Sequence, residues 1–155
     1  MKNIKLTQGK YALVSDEDYE CLNQFHWSVD GNGYPQKAIK TKKGWRPIRM
    51  HRYLLKLKKK EHCDHINHNK LDNQRVNLRK CTQKENNRNL PMMITNTSGF
   101  RGVWWDKFKN KWHSNISVNN KTIHLGRFKN IKDAAKIYNQ AALKYFGDFA
   151  ILNNI

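Results

Sequence analysis

The segment from residue 64 to residue 89 is rich in Asn and has almost no apolar side chains beyond Ile66, Leu71, Val76 and Leu78. Because so little apolar surface can be buried there, burial cannot offset the conformational entropy that the segment loses on folding. Its order must come from side-chain hydrogen bonds or from a bound metal ion; otherwise the segment is a loop. A chain with such a centre is restricted to several small cores rather than one large core.

The charge of the chain is strongly positive. Among 155 residues, 30 are Lys or Arg and 12 are Asp or Glu, which gives a formal net charge of +18. The excess occurs in the first, the middle and the last part of the chain, so it is not a basic tail. A distributed positive charge favours an extended polyanion as the partner, and nucleic acid is the commonest one. A membrane surface is disfavoured because no basic amphipathic helix is visible.

Composition also limits where the chain works. The hydrophobic fraction is 38%, below the roughly 45–50% of an average globular chain, yet the aromatic content is too high for disorder. The longest apolar runs have four residues, against the ~18 that a membrane span needs. We therefore expect no transmembrane segment and no signal peptide. The three cysteines, Cys21, Cys63 and Cys81, are an odd number and form no C-x-x-C pair, which favours a cytoplasmic protein.

Local patterns in the first half predict short strands and short helices. Ser15-x-x-Asp18 is typical of a capping box that starts a helix, and Thr82-x-x-Glu85 is a second one that puts Asn86 one turn inside its helix. A further short helix is predicted over 51–57. Strands are predicted at 11–14 and near 27–29, 34–39 and 45–50.

The last third has the most regular pattern. Three strands are predicted at 103–106, 112–118 and 122–128, with Asn119-Asn120 as a two-residue type I′ turn. A helix should follow, starting at Asn130 and ending at Gly147. The predicted fold class is α+β, with a three-stranded antiparallel sheet packed on one helix at the C-terminal end. We divide the chain into a β-rich region (1–50), a central finger (51–89), a linker (90–98) and a sheet-and-helix domain (99–155).

The chemically informative residues are in the central finger. Phosphodiester hydrolysis needs an activated water and a cation that neutralises the developing charge. The oxygens of Asp64 and of an Asn suit a hard cation such as Mg²⁺, and the neutral imidazole of His65 can accept a proton near pH 7. These residue types are sufficient for a nuclease, although an isolated Asp-His pair is more often part of a surface turn.

The spacing in this segment resembles that of a known family. The matching groups are Asp64-His65-Ile66-Asn67, Asp72-Asn73, Asn77-Leu78-Arg79, Glu85-Asn86 and Arg88-Asn89. They resemble the HNH nucleases, in particular the phage homing-endonuclease branch in which the last His of the name is an Asn. The resemblance spans roughly residues 50–89 and implies a ββα-metal finger.

The resemblance implies roles for individual residues. Asp64 and Asn86 would hold one divalent metal ion, Mg²⁺, for which Mn²⁺ could substitute. His65 would be the general base, and Asn77 would brace the loop that orients it. Arg79 and Arg88, within the same motif, are candidate DNA contacts.

The remaining histidines of this segment suggest no additional metal site. His68 stands where the family often has Gly, at a position of positive φ that is uncommon for other residues, although His is among the more tolerant types, so we expect the loop to be slightly altered there. For His51, His62 and His68 we expect phosphate contact or packing rather than zinc binding, because the cysteines supply no pair of ligands at a plausible spacing.

The C-terminal domain resembles a second family. The matching residues are Phe100-Arg101-Gly102-Val103, Trp112, Leu125-Gly126-Arg127-Phe128, Ala134-Ala135, Tyr138, Ala141-Ala142 and Gly147. Over residues 99–153 they resemble the ethylene-response-factor (AP2/ERF) type of DNA-binding domain, which implies a sheet that enters the major groove and a helix behind it.

Strand alternation then selects the side chains that face away from the helix. Together with Arg101 and Trp104, the candidate DNA-reading residues are His113, Asn115, Ser117, Thr122 and His124. For Trp104 and Trp105, ordinary packing is an equally good interpretation. Several family arginine positions are not arginine here, so the base preference cannot be carried over.

These observations predict a homing-type HNH endonuclease that cleaves a phosphodiester bond in double-stranded DNA and is targeted by its C-terminal domain. It would act as a monomer on DNA, with no membrane and no obligate small molecule. The main alternative is a non-catalytic, sequence-specific DNA-binding regulator, and an RNA-binding protein is a third possibility. Residues 1–50 either add phosphate contacts or serve as a scaffold.

Overall fold

The computed structural model describes residues 1–90 and 92–155; Pro91, in the predicted linker, lies outside the described residues. The chain divides into two compact units, residues 1–86 and residues 87–155. Both consist of small antiparallel sheets and helices, so the predicted α+β class is confirmed. Within the described ranges, no helix is both long and apolar enough to cross a lipid bilayer.

The first unit contains three small antiparallel sheets. In chain order its elements are β1 (Lys2–Lys5), β2 (Tyr11–Val14), α1 (Asp16–Asn23), β3 (Ser28–Val29), β4 (Pro35–Thr41), β5 (Gly44–Arg49), α2 (Met50–Leu54), β6 (His62–His65), β7 (Leu78–Cys81) and α3 (Gln83–Arg88), whose end belongs to the second unit. Strand β1 pairs with β2, strands β3, β4 and β5 form a three-stranded sheet, and β6 pairs with β7.

One apolar cluster forms the core of residues 1–86. It draws side chains from the predicted β-rich region and from the predicted finger alike: Ile4, Leu6, Ala12, Val14, Leu22, Trp27, Met50, Leu54 and Leu78. Trp27 is 1% exposed, and its indole N–H donates to the Leu22 carbonyl oxygen at 2.9 Å, so its burial leaves no polar group unpaired. Because Leu78 belongs to this core, the β6–β7 hairpin is anchored to it.

The start of α1 differs from the prediction in one detail. The helix begins after Ser15 as expected, but the Ser15 side chain does not cap it. Instead, Ser15 Oγ accepts a hydrogen bond from the backbone N–H of Arg75 at 3.0 Å. The Asp18 carboxylate accepts two more from the Arg75 guanidinium, at 2.9 and 2.7 Å. The predicted capping box was wrong because both side chains bind a segment that is distant in sequence.

The second unit has the predicted sheet and helix. Its elements are β8 (Val103–Asp106), β9 (Lys111–Val118), β10 (Lys121–Phe128) and α4 (Ile131–Phe146), with β9 in the middle of the sheet. Asn119 and Asn120 have φ values of 50° and 64°, as a type I′ turn requires. Asn130 caps α4 by accepting a hydrogen bond from the Lys132 backbone N–H at 2.8 Å.

Small side chains allow α4 to pack closely on its sheet. Ala134, Ala135 and Ala142 are 0% exposed, and Ser114 Oγ of the sheet donates to the Ala134 carbonyl oxygen at 3.0 Å. Gly102 has a positive φ, and a Cβ there would collide with the Tyr138 ring. The close approach of helix and sheet therefore depends on small residues on both sides.

Candidate active site

The β6–β7 hairpin positions the adjacent pair Asp64 and His65. In the strand register Asp64 is opposite Arg79, and His65, the last residue of β6, is opposite Leu78. Both Asp64 and His65 are 6% exposed. Burial of an adjacent acid and imidazole is unusual for a surface turn. The hairpin end is therefore a candidate functional site.

Asp64 forms an ion pair with Arg79 across the hairpin. The Arg79 guanidinium donates from Nε and Nη2 to Asp64 Oδ2, at 2.9 and 2.6 Å. The side chains are 19% and 7% exposed, respectively. Because a charged side chain without its partner is costly in such a place, the pair fixes the carboxylate at the hairpin end. Arg79, a candidate DNA contact from the sequence, therefore binds the predicted metal ligand in this structure.

The ring of His65 packs against two other aromatic rings. Its ring lies edge-on to that of His51, with centroids 5.1 Å apart, and 5.9 Å from that of Tyr34. Burial lowers the pKa of His65, and the neighbouring Asn73 side chain and the Asp64 charge only partly oppose this effect. The imidazole is therefore neutral near pH 7, as a proton acceptor must be.

Side-chain hydrogen bonds order the loop between β6 and β7. Asn77 Oδ1 accepts from the Asn67 backbone N–H at 3.0 Å, and Asn77 Nδ2 donates to the Asp72 carbonyl oxygen at 2.8 Å. Asn67 Nδ2 donates to Asp72 Oδ2 at 2.7 Å. His68 has the expected positive φ, 62°. Asn77 thus binds two backbone groups of this loop, and its role in orienting His65 stays a prediction.

Strand β2 holds the same loop from outside the motif. The Leu13 N–H donates to the Leu71 carbonyl oxygen at 2.9 Å, and the Asn73 N–H donates to the Leu13 carbonyl oxygen at 2.8 Å. Arg75 adds the ion pair with Asp18 described above. Sequence reasoning did not predict these contacts, because backbone pairing between distant segments leaves no residue-type signal.

Helix α3 carries Asn86, the second predicted metal ligand. The capping box predicted at its start is present, since the Thr82 N–H donates to Glu85 Oε2 at 2.7 Å and the Glu85 N–H donates to Thr82 Oγ1 at 3.3 Å. Asn86 is half-buried. Its amide side chain has no hydrogen-bond partner within the described part of the chain. A carboxylate and an amide oxygen are the donor types that Mg²⁺ takes, so Asp64 and Asn86 fit the implied ion in chemical type.

The two thiols in the strands of the hairpin have raised pKa values. Burial, together with the neighbouring Cys81 and Asp64, raises the pKa of Cys63 to about 12, and burial raises the pKa of Cys81 to about 11. Both thiols are therefore protonated at neutral pH. Across residues 1–90 and 92–155 no group of three or more His, Cys, Asp or Glu is arranged to hold a metal ion.

Two residues beside His65 were not assigned to the site from the sequence. His51 is 6% exposed, and its Nδ1 has no hydrogen-bond partner among the residues that the structure describes. Burial and the neighbouring His65 and Arg49 lower the pKa of His51 to about 3. Tyr34 contacts both His51 and His65 through its ring. For His51 the sequence left two interpretations open, phosphate contact and packing, and the structure shows packing. No local sequence pattern distinguishes these two interpretations.

The outward face of the C-terminal sheet carries a row of aromatic side chains. The Trp104 and His113 rings are 4.5 Å apart, and the His113 and His124 rings stack with centroids 4.2 Å apart and planes 15° apart. Burial and the charges of His124 and Arg127 lower the pKa of His113. Ser117 Oγ and Thr122 Oγ1 lie 3.3 Å apart on the same face. The predicted outward residues therefore form a continuous polar and aromatic surface.

The other candidate DNA contacts of this unit take part in local packing. Trp105 packs against Trp112, with centroids 5.1 Å apart. The Arg101 side chain donates to the Leu90 carbonyl oxygen. The Arg88 guanidinium lies 4.6 Å from the centroid of the Phe146 ring. A role of Arg88 and Arg101 in DNA binding would compete with these contacts, and it stays a prediction.

Comparison with known proteins adds two relatives. Over 154 residues the chain is 29% identical to a protein of Acanthamoeba polyphaga mimivirus named uncharacterized HNH endonuclease L560, an alignment that covers 96% of this chain and 77% of the relative. Over 87 residues it is 30% identical to protein 3.8 of Escherichia phage T7, covering 56% of this chain and 71% of that protein. No protein-family model matches the chain.

Proposed function

This chain belongs to the same family as protein 3.8 of phage T7 and is homologous to a mimivirus protein named as an HNH endonuclease, and on that premise we propose that it is a metal-dependent, homing-type DNA endonuclease. The homology supports a nuclease of the HNH type. The observation that carries the finer proposal is the buried, neutral His65 beside the buried carboxylate of Asp64 at the end of one hairpin.

In the proposed reaction His65 accepts a proton from a water molecule. The oxygen of that water forms a bond to phosphorus, and the bond from phosphorus to the 3′-oxygen breaks. Asp64 and Asn86 would hold one divalent ion, Mg²⁺ or Mn²⁺, which supplies neutralisation of the charge that develops on the phosphate and the leaving oxygen. Asn77 keeps the loop after His65 in place through its two backbone contacts.

The C-terminal unit is proposed to target the enzyme to duplex DNA. Its outward face has hydrogen-bonding and aromatic side chains on neighbouring strands, and a sheet of this kind fits the major groove. With a net charge of +18, we expect a slope of log affinity against log salt of about −5 or steeper, from six or more phosphates at ~0.9 each. A slope near zero would contradict electrostatic binding to DNA.

A nicking assay on supercoiled plasmid DNA tests the enzyme proposal. The parent protein should nick in Mg²⁺ or Mn²⁺ and not in EDTA. His65→Ala should slow nicking about 10²- to 10⁴-fold, the usual contribution of a general base. His26→Ala, which removes an exposed histidine of the same unit, should behave like the parent. An inert parent, or equal rates for the parent and His65→Ala, would contradict the proposal.

A non-catalytic DNA-binding regulator is the second candidate, and the Asp64–Arg79 ion pair favours it. In such a regulator the Arg79 guanidinium would permanently take the place of the metal ion at the Asp64 carboxylate, and the hairpin would serve as a scaffold. Calorimetric titration with Mn²⁺ distinguishes the two functions, because the endonuclease must bind the ion with Arg79 present, whereas the regulator should bind it only as Arg79→Met, if at all. Absence of metal binding by the parent would support the regulator.

A further inference from the structure

Two segments of the first unit meet beside His65. One is the turn between β3 and β4, which ends at Tyr34, and the other is the loop that follows His65. The Tyr34 ring lies at the junction, 5.9 Å from the His65 ring. A group held by both segments therefore has a fixed position relative to the imidazole.

Two cationic side chains lie against the ring of Tyr34. The Arg49 guanidinium carbon is 4.3 Å from the ring centroid, and Lys70 Nζ is 5.0 Å from it. Arg49 is neutralised, because it donates from Nε to Asp30 Oδ2 at 2.8 Å and its Nη2 is also 2.8 Å from that oxygen. Of these two cations, Arg49 therefore has its charge matched by a carboxylate.

Lys70 is exposed, and its ammonium group is nevertheless held in place. It donates to the Asn32 carbonyl oxygen at 2.9 Å. Within residues 1–90 and 92–155 no carboxylate lies within ion-pair distance of it. An ammonium group has three N–H donors, so two remain for another acceptor.

We infer that Lys70 binds a backbone phosphate of the DNA strand at or next to the phosphodiester that faces His65, and that Tyr34 positions Lys70 relative to His65. The inference rests on the proposed function. An anchored, unmatched cation with two available donors is suited to a phosphate oxygen.

Binding of duplex DNA in EDTA tests this inference without cleavage. Lys70→Gln should weaken binding about tenfold, the usual loss when a charge-assisted hydrogen bond is removed, and should reduce the steepness of the salt dependence by about one. Lys70→Arg should restore most of the affinity. Lys59→Gln removes the same charge from another exposed site of this unit and is the matched control.

A scan with single methylphosphonates, which are neutral, identifies the phosphate. In the parent, one substitution near the cleaved bond should weaken binding about as much as Lys70→Gln does. In Lys70→Gln that substitution should have almost no further effect, whereas in Lys59→Gln it should keep its full effect. Additive losses at every phosphate, or the same coupling in Lys59→Gln, would overturn the inference.

This design separates the two proposals. If the parent fails to cleave DNA but Lys70 is coupled to one phosphate, the contact is supported as part of a binding surface and the endonuclease is not. If the parent cleaves and no phosphate is coupled to Lys70, the endonuclease stands and the contact is refuted. Thermal melting of each variant by circular dichroism, with values equal to the parent, confirms that the comparison is between folded proteins.

Discussion

The loop of residues 66–77 and the interface between α4 and its sheet are ordered in opposite ways. The loop depends on a few directional hydrogen bonds, of which Asn77 makes two to backbone groups. The interface depends on burial, with Ala134 and Ala142 at 0% exposure. A burial interface spreads its stability over many contacts, whereas a hydrogen-bonded loop concentrates it in a few atoms.

The difference explains why a polar segment can carry a site. Directional bonds fix the positions of the chain atoms after His65 to within the tolerance of a hydrogen bond. The same bonds make the loop sensitive, because removal of one partner leaves a buried polar group unpaired. We therefore expect Asn changes in the loop to affect stability and activity together, and changes at α4 to affect stability first.

The largest stability effect is expected for Asn77→Ala. It leaves the Asp72 carbonyl oxygen of a buried bond and the Asn67 N–H of a part-buried bond without their partner. At roughly 1–3 kcal/mol for the buried group and about 1 kcal/mol for the other, the free energy of unfolding should fall by about 2–4 kcal/mol. Urea unfolding followed by circular dichroism measures the loss. A loss below about 0.5 kcal/mol would show that the loop is not held by this side chain.

A smaller effect is expected for Ala142→Leu in α4. The larger side chain has no space against the sheet, and overpacking of this kind costs roughly 1–3 kcal/mol. Gln140→Leu, at an exposed position of the same helix, adds a comparable side chain to the solvent face and is the control. If both variants melt at the same temperature, close packing does not order this unit.

Arg75→Gln should lower the stability of the first unit by less than Ala142→Leu lowers that of the second. Arg75 bonds the buried Asp18 and the exposed Glu17, but its own side chain is 49% exposed, so solvent screening limits the expected loss to about 1 kcal/mol. Glu17→Gln should change stability little. The measurement is the unfolding midpoint at low and high salt, and a loss that is the same for Arg75→Gln and Glu17→Gln would contradict the role of Asp18.

The smallest effect is expected for Asn69→Ala. Asn69 Oδ1 accepts from the Leu71 N–H at 3.0 Å, at an exposed position, where water can replace the lost partner. The expected change is within about 0.5 kcal/mol. A loss as large as that of Asn77→Ala would show that buried and exposed hydrogen bonds contribute equally to the stability of this loop.

Local pattern was sufficient to predict much of the fold. The three C-terminal strands, the Asn119-Asn120 turn and α4 follow from alternation, turn chemistry and capping, all of which act over a few residues. Strand β1 was missed because its sequence, Lys-Asn-Ile-Lys, points only Ile4 into the core. Ser15 was misassigned because its partner, Arg75, is far away in sequence.

In the candidate site, too, local sequence patterns did not reveal the contacts between distant segments. Spacing alone singled out Asp64 and His65, and the structure adds that both are buried in one hairpin. The Asp64–Arg79 ion pair and the packing of His51 and Tyr34 against His65 could not be read from the sequence. These contacts depend on strand register and on the meeting of distant segments, which no residue type or local spacing encodes.

Binding of Mn²⁺, measured by electron paramagnetic resonance on the protein with duplex DNA, tests the central proposal most directly. Asp64 and Asn86 are proposed to hold one ion, so the parent and His65→Ala should each bind one Mn²⁺ per chain. Asp64→Ala and Asn86→Ala should lose this site. Equal Mn²⁺ binding by the parent and Asp64→Ala would contradict the account.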